Sequence, residues 1–135
     1  MEMLITKWLS QAAAEMKAEA KNGSPTFRVL RELNNKLNSR LDISGSSEEK
    51  CFAYFLSLFI DDIFNNLAGD FPYAEEVITE KNSFLNQLAI GIEKLSKEDY
   101  NAGGGGWTTL SQIVDSYFTL LEKIEKILAK RKDIV

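Results

Sequence analysis

Five stretches of the sequence repeat their apolar residues at spacings of three and four, and none alternates apolar with polar residues. A stripe with that spacing lies along one side of an α-helix, whereas a half-buried strand needs a period of two. The pattern therefore restricts the chain to helices. Ile5, Trp8, Leu9, Ala12, Met16 and Ala20 predict a helix over 3–21. Asn22-Gly23 would end it, because glycine accepts the left-handed conformation of a C-terminal cap. Ser24-Pro25 offers a cap and a first helical residue for a second helix over 24–41, striped by Phe27, Leu30, Leu33 or Asn34, Leu37 and Leu41.

After a polar loop containing Gly45, Ser46 and Glu49 have the spacing of a capping box for a third helix over 47–68. Phe52, Phe55, Leu56, Phe59, Ile63 and Leu67 would form one face of it, with Tyr54 and Leu58 on another. A surface this broad implies a central helix packed on two sides, or a seam between two copies of the chain. Gly69 closes it and Asp70-Phe71-Pro72 opens a fourth helix over 72–95, with Val77, Phe84, Leu85, Leu88, Ile92 and Leu95 inward. A connection over 96–106, ending in four glycines, is expected to be a flexible linker. The fifth helix, over 108–130, carries a heptad seam of Leu110, Val114, Tyr117, Leu121, Ile124 and Leu128, with Ile113, Leu120 and Ile127 as a second column. The expected fold is an all-α, single-domain bundle of four to five helices over 1–135, with no β-sheet. At 135 residues such a bundle buries roughly two-thirds of its unfolded surface.

Composition removes several chemistries. The chain has no histidine and one cysteine, so a Ser-His-Asp triad, a Cys-His pair and a Cys-X-X-Cys redox pair are all excluded. Cys51 is expected to pack as a small hydrophobe. The longest apolar run, Cys51 to Ile60, is broken only by Ser57 and makes about 15 Å of helix, half of a bilayer core. With Glu2 and Lys7 in the first turns there is no signal-peptide pattern, so the expected setting is cytoplasmic, away from the membrane.

Net charge is −4, which disfavours nucleic acid as a partner. The charge is segregated. Residues 42–80 hold nine acids against Lys50, a net −8, while 24–41 and the last 13 residues are each +3. Lys130, Arg131 and Lys132 suit a helix C-terminus, where cations complement the dipole.

Two apolar rows of the third helix run into paired acids and then paired amides: Tyr54, Leu58, Asp61, Asn65 and Phe55, Phe59, Asp62, Asn66. Glu75, Glu76 and Glu80 follow just after the turn. If the acids end a buried stripe at the solvent boundary, Arg28 or Arg31 would be their neighbours. If the two groups face each other, the oxygen cluster suits magnesium. The arrangement is loosely similar to the all-α nucleotide pyrophosphatases, whose facing helices hold magnesium with Glu-Glu-x-x-Glu and Glu-x-x-Asp patterns. Here Glu75-Glu76-x-x-x-Glu80 is longer by one residue, and Asn65 stands where Asp61-Asp62-x-x would need an acid. The resemblance covers only these two helix segments.

Gly103 to Gly106 before Trp107-Thr108-Thr109 has the look of an anion cradle at a helix start, without the lysine of a Walker loop. Trp8, Trp107 and the rings of the third helix, at helical spacing, are expected in the core. The reading that follows is a small interaction or regulatory module, adaptor-, antitoxin- or immunity-like, with no catalytic residue and no cofactor. A basic protein partner would dock on an acidic patch of Asp61, Asp62, Asp70, Glu75, Glu76 and Glu80, and the broad helical faces allow a homodimer. The alternatives are a magnesium-dependent hydrolase of a nucleotide or other phosphate, with Asp61, Asp62, Glu75, Glu76 and Glu80 as ligands, and a bundle binding a small ligand in an apolar pocket beside the third helix.

Overall fold

A computed structural model of the chain describes residues 4–21, 27–40, 47–67, 75–101 and 103–134. They form α1 (Leu4–Lys21), α2 (Phe27–Arg40), α3 (Ser47–Leu67), α4 (Glu75–Leu95) and α5 (Gly105–Ile134), and among the described residues there is no strand. The fold is the expected all-α bundle. The punctuation assigned to Asn22-Gly23, Ser24-Pro25, Ser46, Gly69 and Asp70-Phe71-Pro72 lies outside the described residues.

Side-chain contacts set the helix directions. Phe27 meets Phe64 and Asn34 bonds Asp61, so α2 and α3 run antiparallel. Glu80 pairs with Lys123 and Phe84 meets Tyr117, so α4 and α5 also run antiparallel. Trp107 meets Phe52, and Tyr117 meets Phe59, so α3 and α5 run parallel.

The most heavily packed helix is α4, between α1 and α5. Val77, Phe84, Leu85, Leu88, Ile92 and Leu95 are all buried, as their spacing predicts. Gly91 lets α5 come close, since a Cβ there would stand 2.7 Å from Ile113 Cδ1. The expectation that the third helix is the central one is corrected. α3 packs on α2 and touches α5 more lightly, burying Phe52, Leu56, Phe59, Ile60, Ile63 and Leu67. Phe55, expected on that face, is exposed. It sits one position round from the Phe52–Leu56 row, where contact with Trp107 of α5 leaves it about half exposed. Cys51 is exposed as well, rather than packed inside.

The connection after α4 is shorter than expected, because Gly105 and Gly106 belong to α5. Bonds back to the preceding connection override their poor helix propensity. Gly106 N–H donates to Asp99 O at 2.9 Å, Gly104 N–H to Asn101 O at 2.8 Å, and Trp107 Nε1–H to Tyr100 O at 2.9 Å. Tyr100 is buried, stacks on Phe52 at 4.5 Å and donates its hydroxyl proton to Leu95 O at 2.7 Å. The end of α4 and the start of α5 are thus tied through one buried ring.

The glycines differ in what they need. A Cβ on Gly106 would come within 2.8 Å of both Asp99 O and the Tyr100 ring, whereas one on Gly105 meets only the movable Glu98 carboxylate. Gly106→Ala should therefore cost about 1–3 kcal/mol in denaturant unfolding, and Gly105→Ala should cost less, because its gain in helix propensity offsets the displacement of the Glu98 carboxylate.

Candidate functional site

The acids singled out on α3 are drawn to opposite sides. Asp61 turns to α2, where Oδ1 accepts Asn34 Nδ2–H at 2.7 Å. Asn34 is buried, and its Oδ1 lies 2.7 Å from buried Ser57 Oγ, with Asn38 Oδ1 at 2.9 Å. A hydroxyl has one proton, so Ser57 donates to one of these amides at a time.

Asp62 turns to α5. Tyr117 is buried and donates to Asp62 Oδ2 at 2.7 Å, while its oxygen accepts Asn66 Nδ2–H at 2.8 Å. Burial, then the Asp62 carboxylate, push the Tyr117 phenol up to about 12. Burial likewise raises Tyr100, against a hydrogen bond with Thr6 that lowers it.

The remaining acids do not join this pair. Glu80 pairs with Lys123 at 3.7 Å, Glu75 and Glu76 are exposed on the first turn of α4, and Asp70 lies outside the described residues. Among the described residues no three acid or cysteine side chains converge in a group fit for a metal ion. Arg28 pairs with Glu32 at 2.9 Å and Arg31 lies over the Phe64 ring at 5.7 Å, so each has a partner other than the α3 acids. Among the described residues no buried side-chain nitrogen or oxygen lacks a partner.

The glycine run offers little to an external anion. The N–H groups of Gly104 and Gly106 are bonded to carbonyls, and the Glu98 carboxylate already stands against the α5 N-terminus, accepting Thr109 Oγ1–H at 3.3 Å. An internal carboxylate there interacts favourably with the helix dipole.

In its middle turns α3 leaves apolar side chains uncovered. Tyr54, Phe55 and Leu58 are 53%, 48% and 45% exposed. Phe55 meets the edge of Trp107 at 5.7 Å, and Trp107 in turn walls an open apolar cavity of about 310 Å³ with Glu48, Cys51, Tyr100 and Gly103. The aromatics expected in the core therefore divide: Phe52 and Phe59 are inside, Trp8, Phe64 and Trp107 half-buried, Tyr54 and Phe55 outside. Sequence reasoning missed the hydroxyl of Tyr117, which the heptad seam marks only as a core ring. The apolar pocket beside the third helix, expected only as an alternative, lies at the start of α3; its walls were not legible, because they come from three separate segments.

None of the described helices is long and apolar enough to cross a membrane. No protein family, curated protein or solved structure compared with the chain matches it.

Tyr117 makes stability pH-dependent on the alkaline side. An unfolded phenol ionises near pH 10, while the folded one holds its proton to about pH 12. The folded state binds more protons in that window, so the stabilisation is complete below about pH 10 and fades as pH rises toward 12. Tyr100 acts in the same direction. Tyr117→Phe should lose about 1 kcal/mol at neutral pH, and its unfolding free energy should fall less steeply than wild type between about pH 10 and 12.

Proposed function

We propose that the chain is a protein-interaction module, in the manner of an adaptor, antitoxin or immunity protein, rather than an enzyme. The carrying observation is the row of Tyr54, Phe55 and Leu58, three large apolar side chains about half exposed within five positions of one helix. Elsewhere Ile78, Ile90, Phe118 and Leu128 are exposed one at a time along their helices, which is ordinary for a surface. Clustered aromatic and aliphatic side chains are the usual energetic centre of a protein interface.

The partner we propose is a polypeptide with an apolar stripe flanked by basic residues. α3 carries Glu48, Glu49, Asp61 and Asp62 against Lys50, so the apolar row sits on a helix of net charge −3. Two copies meeting through this face would bring like charge together, which favours a basic partner over a homodimer. On this reading the acids supply the field and the apolar row supplies the contact. Glu75 and Glu76, exposed on the first turn of α4, add to the field, and Asp70, the sixth acid of the expected patch, lies outside the described residues. The setting we propose is the cytoplasm, where the exposed Cys51 thiol stays reduced.

Affinity capture from the source cell tests this with wild type and a Tyr54→Ser/Phe55→Ser/Leu58→Ser variant of matching helical content. A basic polypeptide held by wild type should be released in about 0.5 M salt and bound more than about tenfold more weakly by the variant. The same polypeptide retained equally by both proteins overturns the docking face. A wild-type dimer that the triple substitution dissociates in sedimentation overturns the basic partner in favour of a second copy.

A further inference from the structure

We infer that the cavity at the start of α3 binds a small aromatic molecule that is uncharged or carries an amine. Its volume, about 310 Å³, is at the small end of ligand pockets and suits a one- or two-ring molecule. The walls decide the chemistry. Tyr100 and Trp107 have polar tips that ligands commonly use, but both are engaged inside the protein. The Tyr100 hydroxyl donates to Leu95 O, and Trp107 Nε1–H donates to Tyr100 O. What faces the cavity from these two residues is ring surface, beside the Cys51 thiol, and a ring is the matching ligand group.

The same bonds hold the walls in place before any ligand arrives. Tyr100 stacks on Phe52, and Trp107 stands edge-on to Phe52 at 5.1 Å and to Phe55 at 5.7 Å. A preformed wall lowers the ordering cost of binding. Gly103 keeps one side open: its φ of +78° disfavours any other residue, and nothing lies within 4 Å of where its Cβ would be. Charge gives the final discrimination. Glu48 is the one charged residue among the described lining, so an anionic ligand is disfavoured and an amine is favoured. The cavity adjoins the docking face but is a different surface: none of Tyr54, Phe55 and Leu58 lines it, while Glu48 contributes charge to both.

Three probes sharing one ring test it: indole, tryptamine and indole-3-acetate, titrated against the folded protein by NMR. The Trp107 indole N–H resonance should shift saturably with indole and tryptamine, while that of Trp8 stays still. Indole-3-acetate should bind several-fold more weakly than tryptamine, and Glu48→Gln should narrow that difference while keeping indole binding, the Glu49 and Glu98 charges near Tyr100 remaining. Cys51→Phe, which fills the space from an exposed position, should abolish the shift, and Cys51→Ser should retain it. Absence of a saturable shift at Trp107, binding unchanged in Cys51→Phe, or a preference for the acid would overturn the assignment.

Discussion

Two parallel helices cannot be joined by a short turn, so something other than chain connectivity must hold α3 and α5 together. Tyr117 does this. Its ring lies between Phe59 of α3 and Phe84 of α4, and its hydroxyl reaches Asp62 and Asn66 of α3. One side chain of α5 thereby touches two other helices, and its polar end is satisfied at the point where the apolar row of α3 gives way to acids and amides. A phenol is suited to that place: the ring fills core volume and the hydroxyl accepts from an amide while donating to a carboxylate. On the other flank of α3, Asn34, Ser57 and Asp61 do for α2 what Tyr117 does for α5.

These two networks explain why, among the described residues, the acidic pair does not gather with neighbouring acids into a group fit for a metal ion. Asp61 and Asp62 are adjacent in sequence, so on a helix they point about 100° apart. Each finds donors on a different neighbouring helix before it can share a cation with the other. Glu80 is answered in the same way by Lys123 across the α4–α5 contact. The sequence segment of −8 is therefore partly an internal resource. Some of its carboxylates orient helices, and others are left to shape the field outside.

The helices and their inward seams were legible because a 3.6-residue period is a local property. On α4 every residue expected inward is buried. On α3 the same logic misplaced Phe55 and Cys51, because periodicity says which residues share a face and not which of two apolar faces meets the rest of the protein. That choice depends on how much surface the neighbours bring, and α4 rather than α3 takes the central place. The start of α5 was misjudged for a related reason. Glycine's low helix propensity argues against a helix at Gly105 and Gly106, but the Gly106 bond to Asp99 and the packing of Tyr100 beneath it decide the matter over a distance that propensity does not see. The partners of Asp62 and Asn34 were illegible for the same reason, since 55 residues separate Asp62 from Tyr117 and 23 separate Asn34 from Ser57.

The aromatic rings of α3 are more than a surplus left over from packing. Tyr100 stacks on Phe52, Phe52 meets Trp107, Trp107 meets Phe55, and Phe55 meets Tyr54, with centroid spacings from 4.5 to 5.9 Å. This series begins at a fully buried ring and ends at an exposed one. Each outer ring is thus braced by the one beneath it, and the innermost is hydrogen-bonded to the end of α4. An exposed aromatic side chain supported in this way gives up less conformational freedom when something packs against it than a ring standing alone. The bonds that close the bundle around Tyr100 therefore also stiffen the surface that the bundle leaves apolar.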